Sequence, residues 1–186
     1  MKILNSQIED ELIGNGASLT GFADVSALPV KVTGNLPRAV SIAVTLNPAV
    51  VRGISKGPTK EYFAEYERVN NLLAELCERT VKIITKAGKR AEAIKTTTEH
   101  YDTSTLSVLL QHKTIATRAG LGWIGKSALL ITKKYGAAVR LGSVLTNAKF
   151  ETANPVNDSD CGACKNCVEA CPAKAITGRN WELGLE

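Results

Sequence analysis

Residues 161–172 read CGACKNCVEACP, which places Cys161, Cys164, Cys167 and Cys171 in one short run closed by Pro172. Four of the chain's five cysteines fall here. Three thiolates at this tight spacing can wrap one face of an iron–sulfur cube. The fourth, followed by proline, completes the ligand run C-x2-C-x2-C-x3-C-P. A zinc knuckle or a set of disulfides is the competing reading. Zinc more naturally takes two separated cysteine pairs, or cysteines with histidines, and no histidine stands near this run. The residues point to Cys161, Cys164, Cys167 and Cys171 as [4Fe–4S] ligands.

In two-cluster ferredoxins the fourth cysteine of such a run ligates the other cluster. On that pattern Cys161, Cys164 and Cys167 hold one cluster and Cys171 helps to hold a second. The remaining cysteine, Cys77, sits in a helical-looking segment and reads as a small core residue. That leaves too few cysteines for two complete four-cysteine clusters. The expectation is a fragment of a longer protein, or an atypical site. Without its clusters the segment from Asp158 should be poorly anchored, because metal binding supplies much of such a module's folding energy.

Working outward from the cysteines, residues 149–160 are polar, contain Asn154-Pro155, and read as a linker. Upstream, Ile3, Leu4, Ile8, Leu12 and Ile13 recur at helical spacing, with Gly14 or Gly16 as the stop. Residues 18–23 read as a short strand and 39–46 (AVSIAVTL) as a buried one. Residues 52–59 read as a loop. Residues 60–86 carry a long amphipathic pattern, with Tyr62, Phe63, Tyr66, Val69, Leu73 and Leu76 as its apolar stripe. Residues 91–97 suit a strand and 105–118 a helix ended by Gly120. Residues 128–132 and 138–146 suit two strands of one hairpin turning at 133–136. The pattern predicts an α/β (α+β) core over residues 1–148, a linker over 149–157, and an iron–sulfur appendage over 158–186.

Composition is that of a soluble globular protein, with 44% hydrophobic and 22% charged residues. No apolar run is long enough to span a bilayer, and the N-terminus lacks the apolar core of a signal peptide. Clustered cysteines without such a signal predict a reducing cytoplasm. The net charge is +5, with Arg79, Lys82, Lys86, Lys89, Arg90 and Lys95 gathered together. Such a run reads first as a solvated helix face. The sharper alternative is an anionic partner such as RNA or a phosphorylated cofactor, although no aromatic interleaving supports base stacking.

The segment 112–126 reads HKTIATRAGLGWIGK, with Gly120, Gly122 and Gly125 around Trp123 and with Lys126 and Ser127 following. Glycine permits close backbone approach and positive φ. The order Gly120-x-Gly122-x-x-Gly125 leads into ALLIT rather than a helix, so it is not a dinucleotide fingerprint. A tight turn packed on a tryptophan is the plain reading. A large-cofactor cradle is the functional one.

Taken together, AGLGWIGKSALL, RLGSVLTN and CGACKNCVEACPAKAI resemble the epoxyqueuosine reductases and their relatives, clearly from His112 to Ile176 and only generally upstream. The resemblance implies a nitroreductase-like, cobalamin-binding core joined to a ferredoxin-like module with two [4Fe–4S] clusters, an architecture shared with reductive dehalogenases. It implies reduction at a cobalt centre, with electrons from a donor such as ferredoxin or flavodoxin. It also implies a corrin site at Gly120, Gly122, Trp123, Gly125, Lys126 and Ser127, with flavin as the alternative ligand. The turn itself should tolerate small residues, and a bulky one at Gly122 should then cost corrin binding more than folding.

The family's proton-donating aspartate lies in a D-x-G-P run, which this chain lacks; Leu106 stands at that position. Asp102, four residues upstream, is a weak candidate for the role, and it reads more readily as a helix-entry capping residue. The resulting expectation is an iron–sulfur, corrinoid-dependent reductase that does not reduce epoxyqueuosine in tRNA. A non-enzymatic electron carrier and an RNA-modifying reductase are the rivals.

Overall fold

A computed structural model describes residues 2–54, 57–95 and 108–182. Asp102, Leu106 and the first residues of the helix expected over 105–118 lie outside these segments.

The central strand is β2 (Arg38–Thr45), and its six interior residues are all buried. It pairs antiparallel with β1 (Leu19–Asp24) on one side and with β6 (Val139–Thr146) on the other. β6 in turn pairs with the short β3 (Ala91–Ala93), giving the order β1-β2-β6-β3. A strand buried on both faces needs cover on both. One face, carrying Phe22, Val40, Ile42, Val44 and Val144, packs on α1 (Lys2–Gly14) and α4 (Lys60–Lys86). The other, carrying Ala23, Ala39 and Leu145, packs on α5 (His112–Arg118) through Ile115 and Ala119.

α4 is the helix that the periodicity predicts, with the same bounds. Thr59 caps its N-terminus by accepting from the Tyr62 N–H at 3.1 Å. Its buried residues Glu65, Val69, Leu73, Leu76, Cys77, Thr80 and Ile84 follow the 3.6-residue turn. Phe63 belongs to the expected stripe but is exposed. Two glycines let helices press on the sheet. A Cβ at Gly142 would lie 2.9 Å from Cys77 Sγ under α4. A Cβ at Gly21 would lie 2.6 Å from the Ala119 carbonyl oxygen at the end of α5.

Between β1 and β2 a single turn of helix, α2 (Val30–Thr33), crosses the sheet end, and α3 (Pro48–Arg52) follows β2. α3 is held by Asn47. Its side chain accepts from the Ala49 N–H, and its own N–H donates to the buried Glu65 carboxylate at 2.8 Å.

Two expectations need correction. α5 begins at His112, and residues 108–111 are not helical. Residues 128–132 do not pair with β6. Instead β5 (Leu130–Ile131) folds back on β4 (Trp123–Ile124), with Trp123 opposite Ile131 and Ile124 opposite Leu130. β2 pairs along the whole of β6, and β3 covers the other edge of β6 only at Val144–Thr146.

The stretch read as a linker is tied to the core. The Ala153 N–H donates to the Phe22 carbonyl and the Val156 N–H to the Thr117 carbonyl, each at 2.9 Å. Phe150 is buried, with its ring tilted against Phe22 at 4.9 Å between centroids. No helix among the described residues is long and apolar enough to cross a membrane.

Candidate iron–sulfur site

Gly120 ends α5 in the left-handed region (φ +71°), which glycine adopts without strain. The chain then runs into β4, turns over residues 125–129 and returns as β5. The Gly125 N–H donates to the Leu129 carbonyl at 2.9 Å, which closes this turn. Gly122 lies against the Ile131 carbonyl oxygen so closely that any Cβ would collide with it. The expectation that Gly122 tolerates small residues is therefore wrong. Its missing side chain is required by strand packing. A Cβ at Gly125 would press on Ile131 and come within 3.5 Å of Cys161 Sγ, so the turn lies directly against the cysteine segment.

Lys126 joins the two. Its Nζ donates to the carbonyls of Gly162 (2.8 Å) and Cys164 (2.9 Å), spanning 36 and 38 residues of sequence. These bonds pin the first loop of the cysteine run to the β4–β5 turn. The short helix α6 (Asn166–Ala170) carries Cys167, and Cys171 follows it directly. Cys161, Cys167 and Cys171 are partly buried and Cys164 is exposed. Among the described residues, no three His, Cys, Asp or Glu side chains are grouped so as to hold a single metal ion.

The surroundings favour thiolate at both ends of the run. Burial alone would push the Cys161 thiol up. The Ser159 hydroxyl, the Lys126 backbone N–H, the Trp123 indole N–H and the Lys126 charge together outweigh that and lower it. Trp123 Nε1 and Ser159 Oγ are both buried, and neither meets a hydrogen-bond partner with ordinary geometry. Two buried donors left open beside one sulfur are costly unless that sulfur carries charge. At Cys171 the backbone N–H of Ala175 favours thiolate most, against a small desolvation cost, and those of Ile176, Ala173 and Lys174 add to it. Cysteines whose surroundings favour thiolate, in a run with cluster-ligand spacing, suit an iron–sulfur cluster, so these residues fit the group.

Cys77 behaves in the opposite way. Burial under Gly142 pushes its thiol up to about 12, opposed only by a weak contact to Ser143. It is the core residue that the sequence suggests.

The basic run is partly neutralised. Arg79 pairs with Glu11 at 2.9 Å and Arg90 with Glu92 at 3.4 Å. Sequence reasoning gave no role to His112. Its Nδ1 lies 3.0 Å from Ser143 Oγ, beneath α5. Burial holds it below the ordinary histidine range and the Arg140 charge adds to this, while the Lys95 backbone opposes both. Ser41, the register partner of Ser143, is fully buried with its hydroxyl unpartnered. The signal was available in the sequence, as a serine within each of two largely buried strands.

Comparison with known proteins agrees with this geometry. The family described as 4Fe-4S binding domain matches residues 155–177. The epoxyqueuosine reductase of Listeria monocytogenes is 50% identical over 64 residues, which is 34% of this chain and 17% of that protein. That of Synechocystis is 45% identical over 67 residues, 36% of this chain and 23% of that protein. The chain thus matches less than a quarter of the length of these relatives. By structure, the epoxyqueuosine reductase of Streptococcus thermophilus superposes with a TM-score of 0.68 at 21% identity, over 94% of this chain and 54% of that one. A reductive dehalogenase, whose structure suggests a mechanism for B12-dependent dehalogenation, gives 0.66 at 17% identity, over 87% and 24%. The chain resembles epoxyqueuosine reductases over its C-terminal part. Its fold is the mixed α/β fold of these reductases and dehalogenases, with a 4Fe-4S segment attached.

Proposed function

We propose that this chain is an iron–sulfur redox protein related to the epoxyqueuosine reductases, with Cys161, Cys164 and Cys167 ligating one [4Fe–4S] cluster and Cys171 serving a second. The observation that carries the reading is the donor set around Cys161, where two buried groups without other partners lie beside a thiol that also matches a cluster-ligand run. A bound cluster supplies one-electron transfer. The chain's own part is to hold the cysteines with Lys126, to hydrogen-bond the sulfurs, and to place them against the β4–β5 turn.

A corrinoid is the second cofactor in our reading. It is supported by the likeness in fold to a dehalogenase described as B12-dependent. The glycine-rich turn fits it poorly. Gly122 and Gly125 are closed by Ile131, and the Lys126 ammonium is spent on two carbonyls. Gly120, which lies against Ala153, and Ser127 remain as the candidates for contact, and no step is assigned through the corrin. We divide the chain into a cofactor-binding core (1–148) and an iron–sulfur segment (158–186). A fold neighbour was solved with an epoxyqueuosine-modified tRNA stem loop, so a nucleic-acid substrate is a further proposal. With Leu106 at the donor position we expect no turnover of epoxyqueuosine tRNA, since positioned general acids contribute on the order of a hundredfold or more. Robust turnover would refute that.

Anaerobic reconstitution with iron, sulfide and cobalamin tests the whole reading. Brown colour, acid-labile sulfide and a visible corrin spectrum are expected. Stoichiometric zinc without sulfide defeats the cluster, and intact clusters without cobalamin uptake defeat the corrin alone.

A further inference from the structure

The family resemblance implies a cofactor cradle at Trp123 and Lys126, but Lys126 is turned to the cysteine loop. The β4–β5 turn touches Cys161 at Gly125, and Lys126 grips the carbonyls on either side of Ala163. Trp123 Nε1 and Ser159 Oγ are buried without a hydrogen-bond partner, Ser159 two residues before Cys161 and Trp123 two residues before the Gly125 that lies against it. A buried N–H or O–H without a partner is rare in folded proteins and calls for an explanation such as an absent acceptor.

We propose that the glycine-rich turn belongs to the iron–sulfur site, with Trp123 Nε1–H and Ser159 Oγ–H donating to sulfur at Cys161 and setting the reduction potential of the cluster held there. The inference rests on the cluster reading above. Reduction adds one electron, with no bond formed or broken and no proton moved. The added negative charge spreads over the sulfurs, so donors aimed at them stabilise the reduced form more than the oxidised one. Hydrogen bonds to the sulfurs are among the terms that set such potentials. Trp123 and Ser159 are positioning residues in this scheme, since neither is a ligand.

The test uses the full chain, reconstituted anaerobically with iron and sulfide and titrated with dithionite under electron paramagnetic resonance. Trp123→Phe keeps the ring and deletes the donor. It should retain iron and sulfide while lowering the midpoint potential by a shift approaching tenfold in the reduced-to-oxidised ratio, about 59 mV for one electron. Ser159→Ala should move it the same way by less. In the reduced wild type, exchangeable-proton hyperfine coupling should be present, and it should weaken in Trp123→Phe. A loaded Trp123→Phe with unchanged potential and unchanged coupling overturns the proposal. If Trp123→Phe does not load, an unmoved potential in Ser159→Ala, together with no exchangeable coupling in the wild type, overturns it equally. A wild type that takes up no iron or sulfide defeats the cluster reading itself, which is a separate failure.

Discussion

Cys77 and Cys161 each lie against a glycine, Gly142 and Gly125, and the two surroundings push their thiols in opposite directions. Cys77 is sealed between α4 and β6, where only a weak contact to Ser143 opposes burial. Cys161 is also desolvated, though less deeply, and it has hydroxyl, amide, indole and ammonium groups around it. Burial alone therefore does not make a cysteine inert. What decides is whether donors accompany it.

The largest test of this contrast is ligand deletion. Cys161→Ser or Cys164→Ser should abolish acid-labile sulfide after anaerobic reconstitution, whereas Cys77→Ser should leave it unchanged. Equal loss in all three would erase the distinction.

Thiol labelling gives the next contrast. In the metal-free protein at neutral pH, Cys161 and Cys171 should react readily with a disulfide reagent. Cys77 should react only when the core opens, at a rate set by global unfolding. The same raised value shapes alkaline stability. Because Cys77 stays protonated in the fold well above its unfolded pKa, stability should be complete below about pH 8.5 and should fall as pH climbs from there towards 12. Cys77→Ala should flatten that limb in thermal melts.

Gly142→Ala should cost about 1–3 kcal/mol by overpacking against Cys77 Sγ, measured by urea unfolding. Cys77→Ala should recover most of the loss. An unrecovered loss would place the strain on Leu73, whose Cδ2 lies 3.3 Å from where the new methyl would sit.

The smallest expected effect concerns acid, on the core side of the comparison. The Arg68 guanidinium, hydrogen-bonded to Glu65, holds that carboxyl below its usual range against the opposing effect of burial, and the Asn47 N–H contributes as well. This contribution is present above the unfolded value near 4.3 and is lost as pH falls through the folded one. Glu65→Gln should cost about 1 kcal/mol at neutral pH, a modest figure because Arg68 is largely exposed. The gap should close below about pH 4.

Long periodic elements were legible in the sequence. α4, β2 and the helix-strand start (α1 and β1) follow from apolar spacing, since each repeats its signal over several residues. The β4–β5 hairpin was not legible. Its strands are two residues each, too short for an alternating pattern to mark them. The 4Fe-4S segment was plain from the cysteine spacing. The glycine turn is ambiguous in sequence because a glycine required for strand packing, such as Gly122, looks the same as one required for a ligand. Only the position of Ile131 separates them. The clamp by Lys126 joins residues more than thirty apart and leaves no local trace.

The segment from Phe150 to Val156 has a practical meaning for anyone wishing to transplant the cysteine module. A free tether could be cut and rejoined to another scaffold. This one lies along β1 and α5 through two backbone hydrogen bonds and the Phe22–Phe150 ring contact. A chimera would have to carry both aromatic rings and the lysine that reaches Gly162 and Cys164, or the grafted cysteines would arrive without their register.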